Sequence, residues 1–203
     1  MTAAQLHVHT DLPSGDSPVL VEVWRGSMVE SRHRAIAAVV DADGRVVKAW
    51  GDIERPIYGR SAIKPLLAIP LVESGAADRF GLADREIALA CASHSSEPGH
   101  VAAVTAWLAK IGLSADDLEC GPHYPYHEPS AQAMWRSGEE PTRAHNNCSG
   151  KHSGFLTTAV HLGDPTAGYV RYEHPVQQRL LGILEQMSGQ DLGQVPRGID
   201  GCG

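Results

Sequence analysis

Apolar and polar positions alternate with a two-residue period over 19–26 (VLVEVWRG), the pattern of a half-buried strand. Two β-rich runs, AIAAVV and RVVKAW, flank Asp-Ala-Asp-Gly within 35–50, which predicts a hairpin closed by an Asp-Gly turn. The pattern then changes. Between Ser61 and Ser74 the apolar residues Ile63, Leu66, Leu67, Ile69 and Leu71 are too continuous for an alternating strand and suit a buried helix, with Pro65 in its first turns and Pro70 bending it. Further helical runs are predicted at 84–91, 98–111, 130–137, 149–162 and 174–188, the last with Val176, Leu180, Leu181, Ile183 and Leu184 on one face. Residues 120–129 (CGPHYPYHEP) are too proline-rich for regular structure, and the tail from Gly189 to Gly203 carries five glycines and a proline.

Strands followed by a block of helices predict an α+β fold, an antiparallel sheet with a helical subdomain, in place of parallel βαβ alternation. A chain of 203 residues fits one domain over 1–203, with 1–17 as a polar N-terminal segment. The chain stops at GIDGCG, a loop-like cluster with no strand or helix after it, so a C-terminally truncated domain lacking its late sheet strands is expected.

Composition narrows the partners. Hydrophobic residues make up 42% of the chain and charged ones 20%, as in globular proteins. The formal net charge is -7 and no window concentrates Lys or Arg, which speaks against nucleic acid and anionic membranes as partners. The N-terminus lacks a basic region followed by an apolar run, and the longest apolar stretch, Pro65 to Val72, is far short of the ~20 residues that span a bilayer. A cytoplasmic protein is expected. In that compartment Cys91, Cys120, Cys148 and Cys202 read as reduced thiols, ligands or nucleophiles, not as a disulfide framework.

Lysine is scarce: Lys48, Lys64, Lys110 and Lys151 are the only four. Two of them stand three residues after a nucleophile-type side chain, in Ser61-Ala-Ile-Lys64 and Cys148-Ser-Gly-Lys151. On a helix each pair shares one face. A serine hydroxyl is a weak nucleophile until a base takes its proton, and a lysine one turn away does so when desolvation keeps its amine neutral. The bland reading of the same residues is a helix-start serine and a surface lysine. The densest reactive cluster is His145-Asn-Asn-Cys-Ser-Gly-Lys-His152, which is no phosphate loop because His145 and His152 replace its first glycine and its Ser/Thr. Cys148 and His152, at i and i+4, suit a thiol and its base, whereas His145, Cys148 and His152 together suit a metal; a buried thiol is the plain alternative. His94 with His100, and His123 with His127, lack the glutamate of a His-Glu-x-x-His site and read as loop or surface histidines.

Taken together, VEVWRGSMVESRHRAIAAVVDADGRVV, YGRSAIKPLLAIPLVESGAAD, ACASHSSEPGHV, HNNCSGKHSGFL and GIDGCG resemble the L-asparaginase II family, the asparaginases akin to serine β-lactamases. The resemblance implies a β-lactamase/transpeptidase-like fold and hydrolysis of L-asparagine to L-aspartate and ammonia. It implies Ser61 as nucleophile, Lys64 as its base and Ser93 as the second serine of the site. It further implies a zinc ion held by Cys148, Lys151 and Cys202, next to Asp200 and close to the substrate. Arg60, beside the nucleophile, and His152, one turn beyond Cys148, are candidate substrate contacts, with a surface ion pair and core packing as their respective alternatives. A homodimer acting on this small-molecule substrate is expected. Family members run further, supplying late strands and the lysine that pairs with the second serine, so Ser93 is expected to lack a base within this chain. By the same reasoning the chain on its own is expected to be inactive and to expose Val21, Val23, Ile36, Ala38 and Val40. Two other functions stay open: a cysteine hydrolase using Cys148 and His152, and a non-catalytic β-lactamase-like binding module.

Overall fold

A computed structural model of the chain describes residues 5–8 and 16–198. The chain forms two compact units, Met1–Tyr58 and Gly59–Gly203.

The first unit holds two small antiparallel sheets, one of order β1-β2-β3 (Gln5–Val8, Val19–Arg25, Met28–Arg34), the other pairing β4 (Ala37–Val40) with β5 (Val46–Trp50). β2 and β4–β5 follow the apolar pattern described above. β1 falls inside the segment taken as merely polar, and β3, MVESRHR, carries too little apolar alternation to stand out. What makes β3 a strand is its partner: Gly26, at φ +61°, lets the chain reverse after β2, and β3 then pairs back from Met28 to Arg34. The β4–β5 loop is tied by Asp41, whose Oδ1 accepts from the backbone N–H groups of Asp43 and Arg45, both at 2.9 Å. Among the described residues of this unit only Pro18 is buried. Of the residues expected to be exposed, Ala38 and Val40 are, whereas Val21, Val23 and Ile36 are half-buried.

The second unit carries the core. The expected helix over 61–74 is broken into a 3₁₀ turn (Arg60–Ile63), α1 (Lys64–Leu67) and α2 (Ile69–Glu73). Pro65 and Pro70 each sit in the first turn of a segment, where a missing N–H costs nothing, and each prevents the preceding turn from continuing. Then come α3 (Ala76–Arg79), α4 (Asp84–Ala90), α5 (Pro98–Lys110), α6 (Glu128–Ser137), α7 (Ser149–Leu162) and α8 (Pro175–Ser188). α7 is the axis of the unit, because every residue from Ser149 to Ala159 is buried. Apolar side chains of Leu71, Leu89, Val104, Trp107, Leu108, Leu156 and Tyr169 belong to the core around it. Its hydroxyls bond inside the unit: Thr157 Oγ1 accepts from Trp107 Nε1 at 3.0 Å, and Ser153 Oγ donates to Ser149 O at 2.8 Å. No helix among the described residues is long and apolar enough to cross a membrane.

Candidate active site

The site is assembled at the amine of Lys64. This side chain heads α1 directly after the 3₁₀ turn and is only 4% exposed. Its Nζ lies 2.5 Å from Ser93 Oγ, 3.2 Å from Ala92 O and 3.2 Å from Cys148 Sγ. Three separate stretches thus meet on one nitrogen: the start of α1, the end of α4 with the turn after it, and Cys148 at the N-cap of α7. Ser61 Oγ is exposed and stands 3.4 Å from Ser93 Oγ. The hydroxyls and the amine therefore form a line, Ser61, Ser93, Lys64. Within the chain the amine that stands on Ser93 is that of Lys64. Sequence spacing hid the pair because the two residues lie 29 positions apart on different elements.

Backbone strain brackets both serines. Among the described residues the non-glycine positions with left-handed φ are Arg60 (+49°), immediately before Ser61, and Ser96 (+61°), three after Ser93. Such conformations cost of order 1–3 kcal/mol and persist only where surrounding contacts enforce them. At Ser96 those contacts are visible: its N–H donates to His94 Nδ1 at 3.2 Å and its Oγ to His145 O at 2.5 Å. The 93–96 turn is joined to the approach to α7 by His94 N–H on Asn147 O (3.0 Å) and by His94 Nε2 with Ser149 Oγ (2.8 Å). Asn146 sets the start of α7, its Oδ1 accepting from Cys148 N–H at 2.8 Å. Asn147 N–H donates to His123 Nε2 at 2.8 Å, which ties in the 120–127 loop. Burial, and then the neighbouring His100, His123, Lys64 and His145, push the imidazole of His94 down to about 4.

The family of the chain follows from its matched span. The sequence model of the L-asparaginase II family covers residues 21–203, nearly the whole chain. The chain belongs to the L-asparaginase II family. A comparison with curated proteins returns no match. Family membership makes amide hydrolysis the reaction class to weigh against the geometry, and the matched span contains Ser61, Lys64, Ser93, Cys148 and Lys151.

His152 is turned into the core of this L-asparaginase II domain. It is fully buried; its Nδ1 lies 2.8 Å from Tyr169 OH, and its ring packs on Phe155 and Tyr169. The Tyr169 hydroxyl accepts from Glu119 N–H at 2.7 Å and carries its own proton beside His152 Nδ1. Burial raises the tyrosine far above its ordinary range, keeping that proton in place. His152 is thus held among core residues of the second unit. A cysteine hydrolase needs its imidazole on the thiol, but Nδ1 of His152 is on Tyr169 and the neighbour of the Cys148 thiol is the Lys64 amine. The paired histidines are likewise accounted for: His94 and His100 stack at 5.3 Å, His123 lies against Tyr126, and His127 bonds Ser130 Oγ at 2.7 Å.

Cys148 and Lys151 occupy the N-terminal end of α7, one turn apart, and Lys151 is 8% exposed, its ammonium 5.6 Å above the Phe155 ring. A sulfur and a nitrogen donor on one helix turn match the donor chemistry of zinc. Asp200 and Cys202 lie outside the described residues. Among the described residues no three His, Cys, Asp or Glu side chains gather as a metal site, and a set that uses Lys151 and Cys202 falls outside that description.

Several contributors carry weak sequence signals. Gly150 is the clearest, since a Cβ there would stand 2.5 Å from Leu89 O, and its absence lets α7 press against the end of α4 that leads to Ser93. The dense HNNCSGKH motif contains that glycine, yet only the packing reveals its use.

Proposed function

We propose that the protein hydrolyses L-asparagine to L-aspartate and ammonia through a serine acyl-enzyme, in a framework of the serine β-lactamase kind. The observation that carries this reading is the line Ser61 Oγ, Ser93 Oγ, Lys64 Nζ, with separations of 3.4 and 2.5 Å. Lys64, buried at the head of α1, takes a proton from Ser93 as Ser93 takes one from Ser61. Ser61 then attacks the side-chain amide carbon. The proton returns along the same line to the leaving nitrogen, ammonia departs, and water activated by the same residues hydrolyses the aspartyl ester. The backbone N–H of Ser61, at the start of its 3₁₀ turn, is the natural donor to the developing oxyanion. Arg60, exposed beside Ser61, supplies a cation for the substrate carboxylate, and Asp200 an anion for its ammonium group. His152 acts behind the site by packing.

Zinc belongs to this reading. Cys148, Lys151 and Cys202 would hold it, and bound there it would supply positive charge near the substrate. Elemental analysis is expected to find about one zinc per chain and its loss in Cys148→Ala. Undiminished zinc in a Cys148→Ala, Cys202→Ala double variant would rule the ligand set out. The active protein is taken as a homodimer.

The 2.5 Å contact favours a second reading, in which Ser93 itself attacks and Lys64 is its direct base. Mass spectrometry of the acyl-enzyme trapped from asparagine decides between them. The aspartyl group is expected on the peptide containing Ser61, with turnover lost by several orders of magnitude in Ser61→Ala and the fold preserved within ~1 kcal/mol. Acylation of Ser93, or normal turnover in Ser61→Ala, would overturn the assignment. Lys64→Met is expected to be comparably inactive.

A further inference from the structure

We propose that His94, in its neutral Nε2–H form, is a positioning residue for the reaction, a clamp that holds Ser93 on Lys64. The inference rests on the serine–lysine reading above. His94 makes three polar contacts, and each fixes a different part of the site. Its backbone N–H ties the turn after α4 to Asn147 O, and Nδ1 accepts from the N–H of Ser96. Its Nε2 meets Ser149 Oγ in the first turn of α7.

The proton inventory leaves one tautomer. Ser149 Oγ donates its only proton to Ala144 O at 2.9 Å, so it accepts from His94, and Nε2 carries the hydrogen. Nδ1 is then free to accept from Ser96, whose left-handed φ of +61° this bond helps to enforce. A proton on Nδ1 would face the Ser96 N–H donor to donor and release the turn. The groups around the ring resist that proton: His100 stacked on it from α5, His123 from the 120–127 loop, His145 before α7, and Lys64 from α1. The 6% exposure of His94 adds the cost of burying a charge. Released, the turn would carry Ser93 away from the amine, while Lys64 and Cys148 stay on helices of their own. His94 touches no reacting atom, so its effect passes entirely through Ser93.

Nitrogen-15 NMR of histidine-labelled protein and steady-state kinetics test this together. At pH 7 the His94 ring is expected as the Nε2–H tautomer. His94→Ala is expected to lower kcat at least tenfold per acylatable site, with KM within twofold. His94→Gln, whose amide nitrogen reaches Ser149 from nearly the same point, is expected to restore much of that loss. A purely structural histidine would reduce the amount of folded protein and leave kcat per acylated site unchanged. Unchanged kcat in His94→Ala, or an Nδ1–H or doubly protonated ring at pH 7 in the unmodified protein, would overturn the clamp. Absence of asparagine turnover in the full-length protein would overturn the serine–lysine reading and the positioning role with it. The tautomer spectrum distinguishes that failure from a failure of the clamp alone, and it does not depend on either variant folding.

Discussion

Arg60 shows how a single residue can serve a site at the expense of its own backbone. Its φ of +49° places a β-carbon where glycine is ordinarily preferred, directly before Ser61. Arg60→Gly is expected to gain up to about 1 kcal/mol in urea unfolding while raising KM for asparagine. A loss of stability would show that the guanidinium holds the turn. Glu86 is the opposite case, a charge fully buried and fully answered: it accepts from Lys110 Nζ at 2.7 Å and from Ala83 N–H at 2.7 Å. Burial alone would raise its carboxyl, but Lys110 and the Ala83 N–H outweigh it and hold the group below the usual range. Lys110→Met leaves that carboxylate buried beside an apolar chain, and a loss of roughly 2–4 kcal/mol at pH 7 is expected in denaturant titrations. No change would mean that water or Arg85 replaces the lysine.

At the scale of elements, the site depends on how closely α7 approaches α4. The two glycines on α7 make a graded comparison: a Cβ at Gly150 would meet Leu89 O at 2.5 Å, whereas one at Gly154 finds Ala90 Cβ at 3.4 Å, near ordinary contact. Gly150→Ala must push a helix off backbone atoms that cannot rotate away, and a cost of roughly 2–4 kcal/mol is expected. Because Cys148 heads α7 and Ser93 follows α4, the same shift should separate the residues gathered on Lys64 and lower kcat in the folded protein. Gly154→Ala is expected to cost less than about 1 kcal/mol, since it also gains helix propensity. Equal melting midpoints for the two variants would contradict this account. The prolines that end successive turns after Ser61 were legible beforehand, but the contact of two helices through a bare Cα was not.

For the molecule as a whole, acid stability follows from His94. Its folded value, about 4, is below the 6.5 of a free imidazole, so between those values the unfolded chain binds more protons than the folded one. Stability is therefore complete above about pH 6.5 and falls as pH drops towards 4, by up to about 3 kcal/mol. The Glu86 carboxylate adds a further loss below its ordinary range, in the same direction. Urea midpoints measured from pH 7.5 to 4 should show the decline, and His94→Gln should flatten the part above pH 5. An unchanged slope in that variant would place the acid sensitivity elsewhere. Burial is also unequal: the second unit has the core, while the described part of the first buries only Pro18. Hydrogen exchange of this chain is expected to be slow in α5 and α7 and fast throughout β4 and β5.

What the sequence by itself determined is whatever depends on near neighbours and local periodicity. The hairpin around Asp41 to Gly44, the helical runs from residue 84 onwards and the Ser61-x-x-Lys64 pair are all written in spacings of a few residues. The motifs that carry the family resemblance are written in order along the chain, and the match over 21–203 bears that resemblance out. Only the tertiary structure decided which hydroxyl meets Lys64, because contact between positions 64, 93 and 148 depends on the packing of α1, α4 and α7. It also decided that β3 is a strand, since polar alternation acquires a fold only from a partner strand, and that His152 belongs to the core, where Tyr169 takes its Nδ1. His94 read as an ordinary loop histidine for the same reason. Its proton is assigned by Ser149 and Ser96, and neither the 55 residues to the first nor the left-handed turn at the second leaves a mark in the local sequence.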